Sequence, residues 1–394
     1  MEIENIEQLN LEGKKVFLRV DFNVPLNEKK EITDDTRIRA ALPTINYLLK
    51  KRCKVILASH LGRPKGKIVE SLRIAPVKEP LEKLLNKQVT LASDCIGVEV
   101  ENLSLQMKEG GLLLLENLRF HPEEEKNDRE FSKKLAKLAD FYVNDAFGTA
   151  HRAHSSTVGI TEFLPSAAGF LLRKEIDVLS KLLQNPERPF LLILGGAKVS
   201  DKVDVIKNLL DKIDIVIFGG ALSYTFIKAK NWEVGNSRVE YDKIDLVKGI
   251  LEEARKRRIE LHTPLDHIIA NEITSDSNYL TTERGTIPSG WMGVDIGPRA
   301  IEEYKDCIKR AKTIFWNGPM GVFEIEAFAR GTMEIARAVA AADAYTVIGG
   351  GDSLAAVKKA GVKEKIDHLS TGGGASLEFL EGRVLPGIAV LQRK

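Results

Sequence analysis

Lys198 and Lys202 follow the apolar run Phe190–Leu194 and the glycine pair Gly195-Gly196, so two ammonium groups four residues apart are expected on one face of a helix start. Glycine lets the backbone turn sharply and lie close to a ligand, and a helix start adds unpaired N–H groups and a positive dipole end. Together these suit a polyphosphate. Asp352, directly after Gly349, Gly350 and Gly351, could hold Mg²⁺ on a phosphate chain or cap a helix; its residue type serves both roles equally. A second group of charges lies in the first half of the chain: Asp21 and Asn23, Arg37, His60 and Arg63, Arg119, and Arg152. Guanidinium pairs bidentately with carboxylate and phosphate, so four arginines and a histidine on one rim would form a pocket for a small, multiply charged anion. His151 and His154 flank Arg152 in HRAHSS, but the segment has neither HExxH spacing nor a helical context, and no GxSxG elbow occurs. They read as loop-anchoring or anion-binding histidines.

Positioning these groups requires elements whose ends converge. KVFLRVDFNVP, KVILASHLGRP, GLLLLENLRFHP and FYVNDAFGTAHR are each an apolar strand with a polar end, and helical stretches such as Asp35–Lys51 and Arg129–Ala139 lie between them. In the first of these, Ile38, Leu42, Ile45 and Leu49 recur at helical spacing. Alternation of this kind predicts a mostly parallel, doubly wound α/β sheet, with ligands beyond the carboxyl ends of its strands. Ser166–Leu183 reads as one long amphipathic helix ended by Asn185-Pro186, a spacer between two lobes. Glycine-ended strands then recur in ILGGAKVSDK, IVIFGGALS, TIFWNGPMGVFE, TVIGGGDS and LSTGGGAS, so backbone should approach a bulky ligand. Neither GxxxxGK[ST] nor GxGxxG is present, which excludes a Walker loop and a dinucleotide fingerprint as the explanation.

The chain has 394 residues, more than one core usually supports, so two α/β lobes are expected. A hydrophobic content of 43% and a net charge of +2 describe a soluble protein with no overall pull toward nucleic acid or anionic membrane. MEIENIEQLN lacks a signal pattern and no apolar run reaches spanning length, which favours a cytoplasmic protein. Cys53, Cys95 and Cys307 are scattered without CxxC spacing, arguing for reduced core residues and against a disulfide framework or thiolate metal site. Five glutamines beside abundant Lys and Glu lean toward a thermophile.

RVDFNVP, SHLGRP, LLENLRF, NDAFGTAHRAHSS, ILGGAKVSDK, WNGPMGVFE, GGGDS and STGGGASLEFLEG, in unbroken order from Val16 to Leu385, resemble the phosphoglycerate kinase family. The resemblance implies two Rossmann-like lobes: residues 1–168 binding 3-phosphoglycerate, a helix over 169–185, and residues 186–374 binding nucleotide. A tail over 375–394 is similar to one that returns to the first lobe. Carried over residue by residue, Asp21, Asn23, Arg37, His60, Leu61, Gly62, Arg63, Arg119 and Arg152 look like the 3-phosphoglycerate site. Gly195, Lys198, Lys202, Gly219, Gly220, Gly293, Asn317, Glu324, Gly350, Gly351, Asp352 and Ser353 look like the nucleotide site, with Asp352 on the metal. Gly373 and Gly374 open the helix that the family aims at the moving phosphoryl group. Asn231 and Asn236 stand where the pattern has glycine and lysine, and Trp232 is unexpected beside them.

The implied activity is glycolytic: reversible, in-line phosphoryl transfer from 1,3-bisphosphoglycerate to MgADP after domain closure, by a monomer, with ADP or ATP as co-substrate. Such transfer needs positioned cations rather than a base, and Arg37 and Lys198, one from each lobe, are expected to stabilise the transition state. Hinges are expected in the loop before Ser166, at the ends of the 169–183 helix and near Ser370-Thr371. A different two-lobed small-molecule kinase, and a non-catalytic anion or nucleotide sensor, are the competing readings.

Overall fold

The structure, a computed structural model, describes residues 3–392. Six parallel strands build the first sheet: β1 (Lys15–Arg19), β2 (Lys54–Ala58), β3 (Thr90–Leu91), β4 (Leu112–Leu114), β5 (Phe141–Asn144) and β6 (Ser166–Ala168), in the order β3-β4-β2-β1-β5-β6. Val16 and Leu18 of β1 lie opposite Val55 and Leu57 of β2. Val16, Phe17 and Leu18 are all fully buried, as expected where helices cover both faces of a parallel sheet and strands read as unbroken apolar runs. The helix Thr36–Lys50 buries Ile38, Ala41, Ile45 and Leu48. The expected Leu42 and Leu49 are only partly covered, so its inward face is turned slightly from the one expected.

The second sheet repeats the architecture with β7 (Phe190–Leu194), β8 (Ile215–Phe218), β9 (Glu260–His262), β13 (Thr313–Asn317), β14 (Tyr345–Gly349) and β15 (His368–Leu369), all parallel, in the order β15-β14-β13-β7-β8-β9. A three-stranded antiparallel sheet of β10 (His267–Ala270), β11 (Tyr279–Thr281) and β12 (Met292–Ile296) is added, which the sequence reading did not anticipate. No helix among the described residues is long and apolar enough to cross a membrane.

The chain divides into two compact units, one ending at Asp177 and resuming at Val384, the other running from Val178 to Arg383. The boundary falls inside the helix Phe170–Gln184. Two expectations change here. Ser166–Ala168 is not helical; it pairs with β5 as a sixth strand, an edge bond that small residues accept readily. The segment from residue 375 does not belong to the tail, because the helix Gly374–Leu380 stays with the second unit, where Asn208 Nδ2 donates to the Leu380 carbonyl (2.7 Å). From Val384 onward the chain rejoins the first unit: Gly387 N donates to the Ala150 carbonyl (2.9 Å), and Glu4 N to that of Leu391 (3.1 Å). Within this segment Pro386–Ala389 forms a helical turn, because proline pre-sets the first helical position.

The helix Phe170–Gln184 starts on a buried carboxyl. Asp145 Oδ1 accepts from the Leu171 and Leu172 N–H groups (2.9 and 3.2 Å), and a Cβ on Gly169 would lie 2.3 Å from that oxygen. Burial pushes Asp145 up to about 7, and does the same to Asp295 of β12, which accepts from the Gly331 and Ile296 N–H groups. A carboxyl whose folded pKa exceeds its unfolded one stabilises fully below the unfolded value and loses that contribution as pH rises through the folded value. Stability should therefore decline between about pH 4 and pH 7 on account of these two groups. Asp145→Asn should flatten the decline in thermal melts across that window; a profile parallel to the parent's would contradict it.

Candidate active site

In the first unit the carboxyl ends of β4, β2, β1 and β5 adjoin, and the loops leaving them carry the predicted anion group to one rim. Arg37, in the first turn of its helix, pairs with Asp21 at 2.5 Å. Asn23 Oδ1 accepts from Gly62 N (2.8 Å), and the Gly62 carbonyl accepts from Arg119 Nη1 (3.1 Å), so a single glycine joins two rim residues. Gly62 has φ +63, and a Cβ there would sit 2.6 Å from Leu72 Cδ2. Arg119 is buried, its Nε 3.3 Å from Glu125 Oε1; desolvation, aided by nearby Arg19, lowers it to about 10. Arg152 Nε donates to His151 Nε2 (3.1 Å). Arg63 is exposed and has no hydrogen bond or ion pair among the described residues. The Leu61 side chain packs in the core, so only its backbone is near the rim.

Neither His60 nor His154 contributes a cation here. Burial first, then Arg19, Arg119 and Arg37, hold His60 well below its ordinary value, and His154 falls to about 3 through burial, Arg119 and Arg19. The His154 backbone carbonyl accepts from Thr157 N and Val158 N (3.1 and 2.8 Å), while its ring Nδ1 lies 3.9 Å from Glu124 Oε1. Arg19 was missed in the sequence. It is fully buried at the end of β1, donates to Ser156 Oγ (2.8 Å) and lies 3.3 Å from His60 Nδ1. Its signal was a charge interrupting the apolar VFLRV run.

In the second unit, two adjoining cavities share Gly196, Ala197, Pro319 and Asp352. The larger, about 420 Å³, has Tyr224, Met292, Val294 and Met320 among its walls, together with Gly220 and Gly293 and the polar Glu324, Arg238 and Asn236; Gly219 lines neither cavity and instead packs behind Met320, whose Sδ would lie 2.6 Å from a Cβ there. The other, about 330 Å³, is lined by Lys198, Lys202, Asn317, Gly351, Asp352 and Gly374, among others. Gly220 has φ +62 and would place a Cβ 2.6 Å from Gly196 N, a backbone approach closed to other residues.

The lysines are not on a helix. The helix begins at Val203, with Lys202 as its N-cap residue and Lys198 in the preceding loop. That loop is held from a distance: Glu240 accepts from Val199 N, from Ser200 N (3.1 Å) and from Ser200 Oγ (2.7 Å). The expected unpaired N–H groups at 199 and 200 are therefore taken by a carboxylate. Lys202 Nζ donates to Asn317 Oδ1, while Asn317 Nδ2 is buried without a hydrogen-bond partner among the described residues. Burial lowers Lys202, with Asp201, Asp352 and Glu381 opposing.

Asp352 does not cap its helix. The N-cap of Gly351–Lys359 is Gly350 (φ +91), and Asp352 stands in the first turn, exposed and with no hydrogen bond or ion pair among the described residues. A free carboxylate oxygen beside two lysines fits a Mg²⁺ that keeps its other positions for water and phosphate. Ser353 turns inward, its Oγ accepting from Gly318 N (2.6 Å). Gly373 (φ +54) and Gly374 have nothing within 4 Å of a notional Cβ, so the start of that helix faces open space. Asn231 takes φ +64, a conformation asparagine tolerates in place of glycine. Trp232 lies against Gly285, where a Cβ would be 2.5 Å from its ring.

Two parallel α/β sheets, one with a rim of arginines and the other with a glycine-walled cleft bearing lysines, define a two-unit phosphotransferase. The phosphoglycerate kinase family matches residues 6–383. The chain is 56% identical over 389 residues to a phosphoglycerate kinase of Moorella thermoacetica, covering 99% of each chain, and 54% identical over 395 residues to that of an Anaeromyxobacter species, covering 100% of each. Among solved structures, phosphoglycerate kinase of Coxiella burnetii superposes with a TM-score of 0.88 at 40% identity, over 99% of this chain and 98% of that one. The Pyrococcus horikoshii enzyme gives 0.86 at 36% identity over the same shares. The chain belongs to the phosphoglycerate kinase family: it is a glycolytic kinase that transfers phosphate to and from a carboxyl group.

Proposed function

We propose that the rim of the first unit binds 3-phosphoglycerate or 1,3-bisphosphoglycerate, that the cleft of the second binds ADP or ATP with Mg²⁺, and that the phosphoryl group passes directly between them. The sorting of charge supports this reading: free or lightly paired arginines on one sheet edge, and on the other a partly apolar cleft with lysines and the carboxylates of Asp201, Glu324 and Asp352, which have no ion pair among the described residues. In the ATP-forming direction a β-phosphate oxygen of ADP attacks the acyl phosphorus, and the P–O bond to the carboxylate breaks. No proton is abstracted, so the residues position and neutralise rather than act as bases. Arg63, Arg119 and Arg152 hold the phosphoglycerate; Asn317 and Lys202 hold nucleotide phosphate; Arg37 and Lys198 oppose charge on the moving group. Asp352 would hold Mg²⁺, which supplies charge neutralisation on the phosphate chain. We assign the protein to the cytoplasm as a monomer.

A coupled ATP-formation assay tests the division of labour. Arg63→Ala and Arg152→Ala should each raise KM for the phosphoglycerate about tenfold or more, the scale of a lost charge-assisted contact, and leave KM for nucleotide within about twofold. Equal effects on both substrates would refute it. Direct transfer also requires reacting atoms to approach to roughly 3–3.5 Å with water excluded, so the ligand-bearing units must close. Small-angle scattering should give a smaller radius of gyration with both ligands, one a non-transferring ATP analogue, than with either alone; an unchanged radius would count against closure.

A further inference from the structure

We propose that Asp94, Cys95 and His121 form a binding site in the first unit for a zinc-class divalent cation, separate from the Mg²⁺ carboxylate of the second. One carboxylate oxygen, one thiol sulfur and one imidazole nitrogen lie within 4.8 Å of one another, the one such group of three among the described residues. His121 Nε2 is 2.7 Å from Asp94 Oδ1, and the Cys95 N–H donates to that same oxygen at 2.6 Å.

The fold explains how they meet. β3 and β4 are parallel neighbours with Leu91 beside Leu114, so the loops leaving them emerge on one edge. Asp94-Cys95 follows β3; His121 follows β4 through the turn Leu118–Phe120, its N–H donating to the Leu118 carbonyl (3.3 Å). Cys95 is fully buried, whereas Asp94 and His121 are partly exposed, so a cation would enter past the two outer ligands and settle on the thiol beneath. The His121 ring is steadied against Phe131, their centroids 5.3 Å apart.

The donor set selects the ion. Sulfur, nitrogen and oxygen together suit Zn²⁺, Co²⁺ or Cd²⁺ in tetrahedral coordination with a fourth position for water, whereas Mg²⁺ and Ca²⁺ prefer oxygen alone. Binding displaces the thiol proton to solvent, and imidazole ligates through Nε2 once its proton resides on Nδ1. No spacing motif announces the site, because two of its ligands are adjacent and the third lies 26 residues away from Cys95. An ion there would staple the β3 loop to the turn that carries Arg119.

The test uses the full chain, stripped by chelator and free of nucleotide. Co²⁺ should bind one-to-one with a near-ultraviolet thiolate-to-cobalt band, retained in a Cys53→Ser/Cys307→Ser double variant and in Asp352→Asn but lost in Cys95→Ser. Should Cys95→Ser fail to fold, His121→Gln, altered at a partly exposed position, decides alone: Zn²⁺ should bind it about tenfold or more weakly by calorimetry. Absence of the band in the parent, its persistence in Cys95→Ser, or equal Zn²⁺ affinity of parent and His121→Gln would overturn the proposal. Loss of kinase activity plays no part in these readouts, so the site stands or falls independently of the phosphotransfer assignment.

Discussion

Lys198→Ala should lower kcat roughly a hundred- to thousandfold, a loss of about 3–4 kcal/mol of transition-state stabilisation, with a much smaller change in KM for nucleotide. Lys198 is exposed on the wall of the smaller cavity and has no hydrogen bond or ion pair among the described residues. Its loop is nevertheless held on both sides, before it by Gly196 N donating to the Pro319 carbonyl (3.0 Å) and after it by the Glu240 carboxylate, which takes the Val199 and Ser200 N–H groups. An unengaged ammonium on an anchored backbone can swing to developing charge without first breaking a pair. Arg37 differs, being already joined to Asp21, so Arg37→Ala would also leave a carboxylate uncompensated. Steady-state kinetics on both substrates decides the point: an unchanged kcat with a raised nucleotide KM would make Lys198 a ground-state ligand only.

Truncation before Val384 should cost the first unit about 5 kcal/mol, enough to abolish much of the stability of an ordinary domain. Leu385, Ile388 and Leu391 are each at most 3% exposed, and burying such a side chain is worth about 1.5–3 kcal/mol. Two backbone bonds, to Ala150 and from Glu4, are lost with them, and Asn144 Nδ2, which donates to the Gly387 carbonyl at 3.3 Å, loses its partner. Limited proteolysis and melting of the truncated chain should show early loss of the first unit with the second retained. Unchanged melting of the first unit would refute the estimate.

Strand ends were the most legible feature of the sequence, because a buried parallel strand is an unbroken apolar run and a polar residue at its end is conspicuous. That placed Asp21, His60, Arg119 and Arg152 on one edge and the glycines on another. Contacts made at long range left no such trace. The helix after Gly196 starts five residues later than Lys198 partly because Glu240, about forty residues on, claims the backbone N–H groups of 199 and 200. Ser166–Ala168 carries a helix-compatible composition, and only its neighbour β5 makes it a strand. Arg19 was hidden because sequence cannot reveal that a strand-end guanidinium will be enclosed by Ser156 and His60. The role of Asp352 also turned on position, since capping depends on which residue precedes the first helical turn, and that residue is Gly350.

The first unit is interrupted in sequence by the whole of the second, Val178–Arg383, before its last segment appears. On a ribosome adding about 5–20 residues per second, those roughly 200 residues take on the order of 10–40 s to emerge. Throughout that interval the nascent first unit lacks the buried Leu385, Ile388 and Leu391 and the backbone partners of Ala150 and Glu4, while the second unit emerges as one uninterrupted stretch. Co-translational folding should therefore complete the later-synthesised unit first, leaving the earlier one dependent on chaperones or on its own partial stability until the final residues are released.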